Sequence, residues 1–281
     1  MKKELVKVYL SLAMFACLLT FVFPSLFSHL NSGLQHAAGK TLAYFAHPQN
    51  SSVNIDLDRA NVIIMFDDGW KTQYTVGYKY MHSKGMVGSI AVIPSVVGDK
   101  NYINIGQLYT LYNNNWDILN HTLEHKRLSE LSEEMQAHQI TTAENWLINN
   151  GFSTSSKILI YPEGNSNTTT ENLIKKLNYS SARYAEPGFN PQKPLDLYAI
   201  KIQNIYNTTS PETAKNWVDY AISNNLTLIL LFHELDNNPG DFAMKYHPSD
   251  FYQIIDHIDA NRHHLNIITY SDWIQSIVAK R

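Results

Sequence analysis

The apolar positions of the chain fall into two kinds of run. Short continuous blocks occur at NVIIMF (61–66), GSIAVI (88–93), WDILN (116–120), KILIY (157–161), LYAIKI (197–202), LTLILLF (226–232) and LNIIT (265–269). Between them lie stretches with helical spacing, the longest being LSELSEEMQAHQITTAENWLINN (128–150). Its first turn carries Glu130, Glu133 and Glu134 and Gly151 follows as a stop, so a helix is expected to open at Leu128 or Ser129. Strands without polar alternation are buried on both faces. Separated by helices, the seven runs predict an α/β fold, a parallel sheet closed into a (β/α) barrel of about seven strands. In such barrels the chemistry sits at the C-terminal ends of the strands.

The first sixty residues follow a different pattern. Lys2, Lys3 and Lys7 flank an uncharged run from Val8 to Phe27, long enough to cross about 30 Å of hydrocarbon as a helix. Residues 1–28 are therefore expected to be a signal anchor or a signal peptide, with the basic side inward and the rest of the chain exported. The run is longer than an ordinary signal core and no clean small-residue cleavage site follows, which favours an uncleaved anchor. The expected location is the cell membrane with an extracellular domain, or outside the cell if the segment is cleaved. Residues 29–60 read as a tether and lead-in, and 61–281 as one domain with no internal repeat or linker.

Composition narrows the functional classes. The formal charge is −3, from 22 basic and 25 acidic residues without clustering, so no basic field favours nucleic acid. The single cysteine, Cys17, lies inside the apolar run, which leaves the exported domain to be held by packing without a disulfide. There are 17 Tyr and 5 Trp, and stacking on sugar rings is one use for such a surplus.

The strand ends carry the candidate chemistry. IIMF runs into Asp67, Asp68 and Gly69, WDILN into HTLEH (121–125), KILIY into Pro162, Glu163 and Gly164, and LTLILLF into His233. Two adjacent carboxylates are hard to desolvate together unless a cation or a shared proton separates their roles. His121 and His125, four apart, place both imidazoles on one face if they lie on a helical turn, and imidazole suits zinc and its first-row neighbours. Two histidines and an aspartate leave a coordination position open, as a catalytic site requires.

FDDG, HTLEH, the YPEG turn and LFH (231–233) together resemble the motifs of polysaccharide deacetylases of the NodB-homology type, carbohydrate esterase family 4, in matching order over about residues 60 to 270. The resemblance implies a distorted (β/α) barrel of about seven strands, a divalent metal bound through Asp-His-His, and removal of N-acetyl or O-acetyl groups from sugars. Carried over by position, Asp68, His121 and His125 would bind the metal, with zinc first and cobalt, nickel or manganese as alternatives. Asp67 would be the general base and His233 the general acid. The backbone N–H of Glu163, after the turn at Tyr161 and Pro162, would hold the oxyanion. The expected partners are a polysaccharide, a polymer of N-acetylglucosamine in the cell envelope or outside the cell, and the membrane.

Two departures from the family pattern stand out. Many members carry an arginine two residues before the third-motif proline to orient the base; here that residue is Ile160, and Glu163 stands where a Tyr is common. The deacetylases of biofilm poly-N-acetylglucosamine also lack that arginine, so YPEG resembles their branch. Glu163 either tunes the site or is a solvated loop carboxylate. The fourth motif, Asp before Trp, has only Asn216 and Trp217 as a counterpart, which leaves open what tunes His233; Arg183 and Asp196 are the candidates. Competing readings are a non-catalytic glycan-binding relative and an inverted zincin metallopeptidase with Glu124 of HTLEH as base.

Overall fold

The computed structural model describes residues 55–56, 58–194, 196–238 and 243–278. The anchor expected at 1–28 and nearly all of the tether expected at 29–60 lie outside the described residues. Among those described, no helix is long and apolar enough to cross a membrane.

Seven parallel strands close into a barrel: β1 (Ala60–Phe66), β2 (Ser89–Val92), β3 (Asp117–Asn120), β4 (Ile158–Ile160), β5 (Ser181–Pro187), β6 (Ile200–Asn204) and β7 (Thr227–Phe232). β7 closes on β1 from Asn61 opposite Thr227 to Phe66 opposite Phe232. On its other side, β1 meets β2 only at Met65 and Phe66. The edge this leaves at the start of β1 is covered by a strand outside the ring, β10 (Leu265–Ile267), paired with Ala60 to Val62. Two short strands, β8 (Glu234–Leu235) and β9 (Lys245–Tyr246), pair beyond the end of β7.

The strand count agrees with expectation but its membership does not. LNIIT forms the strand beside the ring, and SARYAEP, which has no continuous apolar run, forms the fifth barrel strand. β5 escapes a hydrophobicity reading because its inward positions include Ser181 and Arg183 and its end is exposed. Opposite β6 its register shifts, with Arg183 facing Ile200 and Pro187 facing Ile202. Such a bulge re-aims side chains near a barrel rim.

Helices follow most of the strands, although none is described between β5 and β6: α1 (Lys79–Ser83), continuing a turn of π-helix from Gln73 to Tyr78, then α2 (Ile105–Asn113), α3 (Glu133–Asn149), α4 (Thr168–Lys176), α5 (Pro211–Asn224), α6 (Pro248–Ala260) and α7 (Tyr270–Val278). α3 starts four residues later than Ser129 because Ser132 is the residue whose hydroxyl caps it, accepting from Met135 N–H at 3.3 Å. Leu128–Glu130 is a separate 3₁₀ turn.

Alternate residues of the strands fill the barrel. Ile63 and Met65 of β1, Ile158 and Ile160 of β4, and Ile229 and Leu231 of β7 share one buried cluster with Trp273, Ile274 and Ile277 of α7. The N-terminus of α7 docks on buried Asp117 at the start of β3. Its carboxylate accepts from Ser271 N–H at 2.8 Å, from Ser271 Oγ at 2.6 Å and from Ser89 Oγ at 3.1 Å. Burial and the nearby charge of Asp272 push this carboxyl up to about 6, against those hydrogen bonds, which favour the charged form.

The folded state thus holds the Asp117 proton more tightly than an unfolded chain, so this group costs stability as pH rises from 3.8 to about 6 and adds no further change above. Relative to Asp117→Asn, the wild type is expected to lose roughly 3 kcal/mol across that window in urea unfolding. Parallel pH profiles for the two proteins would contradict the buried-carboxyl account.

Candidate active site

The rim is made of turns tighter than ordinary residues prefer. Leaving β1, Asp68 and Gly69 take φ of 74° and 78°; after β3, Thr122 and His125 take 63° and 58°; after β4, Glu163 and Gly164 take 54° and 63°. Left-handed backbone costs about 1–3 kcal/mol at a non-glycine residue, and a β-branched Thr is among the least tolerant. Among the described residues, the other non-glycine positions with positive φ are Asn115, Asn178 and Asn225, in turns entering β3, β5 and β7, where asparagine adopts this shape readily. At Gly164 no side chain fits, since a Cβ would lie 2.5 Å from the Ala185 nitrogen.

These turns bring Asp68, His121 and His125 together. Asp68 Oδ1 lies 3.5 Å from Nε2 of His121 and 3.5 Å from Nε2 of His125, and the donor atoms all lie within 4.8 Å of one another. Ligands on a tetrahedral ion with bonds near 2.1 Å stand about 3.4 Å apart, so this donor set fits a divalent cation. The two histidines are not on a helical turn as expected: residues 121–127 form a loop, and its left-handed residues bring the rings to 4.6 Å between centroids. His121 is buried, and its Nδ1–H donates to the Ile160 carbonyl at 2.9 Å, which leaves Nε2 turned toward Asp68. The loop is held from behind. Asn120 Oδ1 accepts from Thr122 N–H at 2.9 Å, and Thr122 Oγ1 accepts from His125 N–H at 3.1 Å.

Asp67 faces a different set of partners. Arg183, 1% exposed, reaches it from β5, and its guanidinium donates to Asp67 Oδ2. Burial raises the Asp67 carboxyl, but Arg183, His121 and His233 more than reverse this and hold it below the usual range. Asp68 is likewise pushed up by burial and held down more strongly by the hydrogen bond and charge of His121 and by the charges of His233 and His125. Among the described residues, Asp67 Oδ1 and His233 Nδ1 are buried without hydrogen-bond partners. Burial keeps His233 below its ordinary value despite the pull of Asp67 and Asp68. Gln73, buried in the π-helical turn, donates through Nε2 to the carbonyls of Asp67 and His233 and ties the ends of β1 and β7 together.

Arg183 is the residue sequence reasoning undervalued. From the sequence it is a candidate only for tuning His233, yet it supplies to Asp67 the partner that Ile160 cannot. Its strand showed no clear apolar run, which hid it. Asp196 sits in an exposed turn, accepting from Tyr198 N–H at 2.8 Å.

The remaining expected residues divide. The ring of Tyr161 packs in a core cluster with Leu128, Leu159 and Ile174, so only its backbone belongs to the rim. Pro162 starts a 3₁₀ turn whose own bonds begin with Gly164 N–H donating to the Tyr161 carbonyl, leaving the Glu163 N–H outside that ladder. The Glu163 carboxylate is not simply solvated, because Arg127 grips it. Glu124 does not act toward the histidines: Gln139 Nε2 donates to it at 2.7 Å and Lys126 lies 2.7 Å away. With HTLEH outside any helix, the inverted zincin reading loses its geometry.

A family model described as polysaccharide deacetylase matches residues 54–182, a span that holds Asp67, Asp68, His121, His125 and Pro162 and stops one residue short of Arg183. A Bacillus subtilis (strain 168) protein named as a putative polysaccharide deacetylase is 27% identical over 145 residues, 50% of this chain and 52% of that protein. The chain thus spans about half the length of the curated relative it matches. The Xyl-CE4 domain of a multidomain xylanase from the hindgut metagenome of Trinervitermes trinervoides superposes with a TM-score of 0.55 at 14% identity, covering 78% of this chain and 91% of that one. A family 4 acetyl xylan esterase from Clostridium thermocellum, in complex with a cobalt ion, gives a TM-score of 0.52 at 16% identity, covering 76% and 90%. The two structures share the fold, and the family match and the Bacillus relative each cover half of the chain or less.

Breaking the buried pair from one side strands a charge. Arg183→Met is expected to cost about 3–5 kcal/mol of unfolding free energy at pH 7, with much of this recovered in the Arg183→Met/Asp67→Asn double variant. Because the Asp67 pKa is depressed in the fold, its contribution is present above 3.8 and fades as pH falls below that value. A cost under about 1 kcal/mol for Arg183→Met in urea unfolding would show that the pair does not hold the site.

Proposed function

We propose that the chain is a metal-dependent polysaccharide deacetylase that removes N-acetyl groups from an N-acetylglucosamine-containing glycan of the cell envelope or its surroundings. The observation that carries this reading is the division of labour between two adjacent carboxylates: Asp68 faces His121 and His125, while Asp67 faces Arg183. One is arranged to bind a cation and the other to hold a charge beside it.

Asp68, His121 and His125 would hold the cation, zinc first, with cobalt, nickel or manganese as alternatives for this donor set. When bound, it supplies Lewis-acid polarisation of the acetyl carbonyl and makes water acidic enough to ionise near neutral pH. Asp67, oriented through Oδ2 by Arg183, takes the proton of the attacking water on its free Oδ1. The Glu163 N–H donates to the oxygen on which negative charge develops. His233 gives a proton to the departing sugar amine, and the product is a free amine and acetate. With Arg183 beside it, Asp67 has the arginine partner that Ile160 does not supply, which supports turnover over a non-catalytic glycan-binding relative.

The YPEG turn supports the poly-N-acetylglucosamine branch, and the apolar run from Val8 to Phe27 supports a membrane-anchored domain facing outward, or a secreted one if that run is removed.

Acetate release from N-acetylglucosamine oligomers, peptidoglycan and acetylxylan, measured with added Zn²⁺, Co²⁺ or Ni²⁺, tests the reaction and its substrate class. Asp67→Asn is expected to keep one metal per chain and lose at least about 10²-fold in kcat. Asp68→Ala or His125→Ala is expected to lose the metal itself by elemental analysis. Stoichiometric metal in either alanine variant would sink the ligand assignment, and unchanged turnover in Asp67→Asn would remove it as the base.

A further inference from the structure

We infer that Trp70 is a positioning residue that fixes how Asp68 presents itself to a cation, an inference that rests on the reading of Asp68, His121 and His125 as metal ligands. The two oxygens of Asp68 have separate surroundings. Oδ1 lies 3.5 Å from both histidine Nε2 atoms, whereas Oδ2 accepts a hydrogen bond from the Trp70 indole Nε1–H at 3.0 Å. Indole nitrogen is a donor only, with no tautomer or charge state that reverses it. Oδ2 is therefore occupied by a fixed neutral donor, and Oδ1 is left as a one-point ligand. A carboxylate free to rotate could close both oxygens onto the ion and take up a position that the reaction needs open.

The indole is itself immobilised. Its ring stacks on Tyr102 with centroids 4.7 Å apart and planes 21° from parallel. The backbones of the two residues are bridged antiparallel, and the ladder continues with Ile103 N–H donating to the Gly69 carbonyl at 2.8 Å and Lys71 N–H to the Asn101 carbonyl at 2.9 Å. The loop before α2 thus clamps the residue that holds the ligand.

Trp70→Phe keeps an aromatic ring for the stack on Tyr102 and deletes only the donor. In the full chain, its Co²⁺ affinity, measured by competition with a chromophoric chelator, is expected to fall about 10–100-fold, with a shifted cobalt d–d absorption. An unchanged dissociation constant and spectrum would overturn the inference. A measurement on the wild type covers the case of a misfolded variant. With ¹⁵N-tryptophan labelling, one of the five indole N–H resonances is expected to move on Zn²⁺ addition, and five static resonances with Zn²⁺ bound would overturn it. If the wild type binds neither Co²⁺ nor Zn²⁺, the metal reading falls together with this one; if it binds them and Trp70→Phe binds equally well, only the Trp70 role falls.

Discussion

The buried pair of Arg183 and Asp67 is the constraint around which the upper half of the barrel is arranged. The lower interior is apolar, filled by Ile63, Met65, Ile229 and Leu231 and closed by α7. Directly above, β1 delivers a carboxylate that is 4% exposed and β5 a guanidinium that is 1% exposed. Neither charge could stand there alone, since an unpaired buried ion costs several kcal/mol. Together they are tolerated, and the carboxylate stays ionised. That is what a group needs if it is to sit beside a cation site without joining it.

Ile160 serves the core through its side chain and the site through its backbone. Its side chain belongs to the core, while its carbonyl accepts from His121 Nδ1–H and fixes which nitrogen of that ring faces Asp68. The guanidinium comes instead from the neighbouring strand, β5, where the register shift against β6 begins at Arg183. Adjacent parallel strands place their inward side chains at similar heights, so a charge can move from one strand to the next without changing the group it serves.

The rim depends on backbone strain as much as on side chains. Asp68, Thr122, His125 and Glu163 all take left-handed conformations, held by the Thr122 and Asn120 bonds in one loop, the ladder at Trp70 and Tyr102 in another, and the close approach of Gly164 to β5 in a third. Strain of this kind persists only where surrounding contacts over-determine it. Gln73 adds a crosslink between the turns that follow β1 and β7, so that Asp67 and His233 come from strands that are neighbours in the barrel but far apart in the chain.

By itself the sequence determined the alternation of buried strands and helices, the parallel barrel, and the delivery of Asp67, Asp68, His121, His125 and His233 to one end of it. Each of these follows from local pattern, because an apolar run ending in a polar cluster is visible without knowing its neighbours. Tertiary structure decided what pattern does not encode. β5 carries a polar inward face that only its partners explain, and Arg183 is readable as the companion of Asp67 only when β1 and β5 face one interior. The loop geometry of HTLEH, the outward turn of Glu124 toward Gln139 and Lys126, and the grip of Arg127 on Glu163 were decided the same way. Partner choice among charged groups depends on distance in space, and across 116 residues of chain only the closed barrel sets that distance.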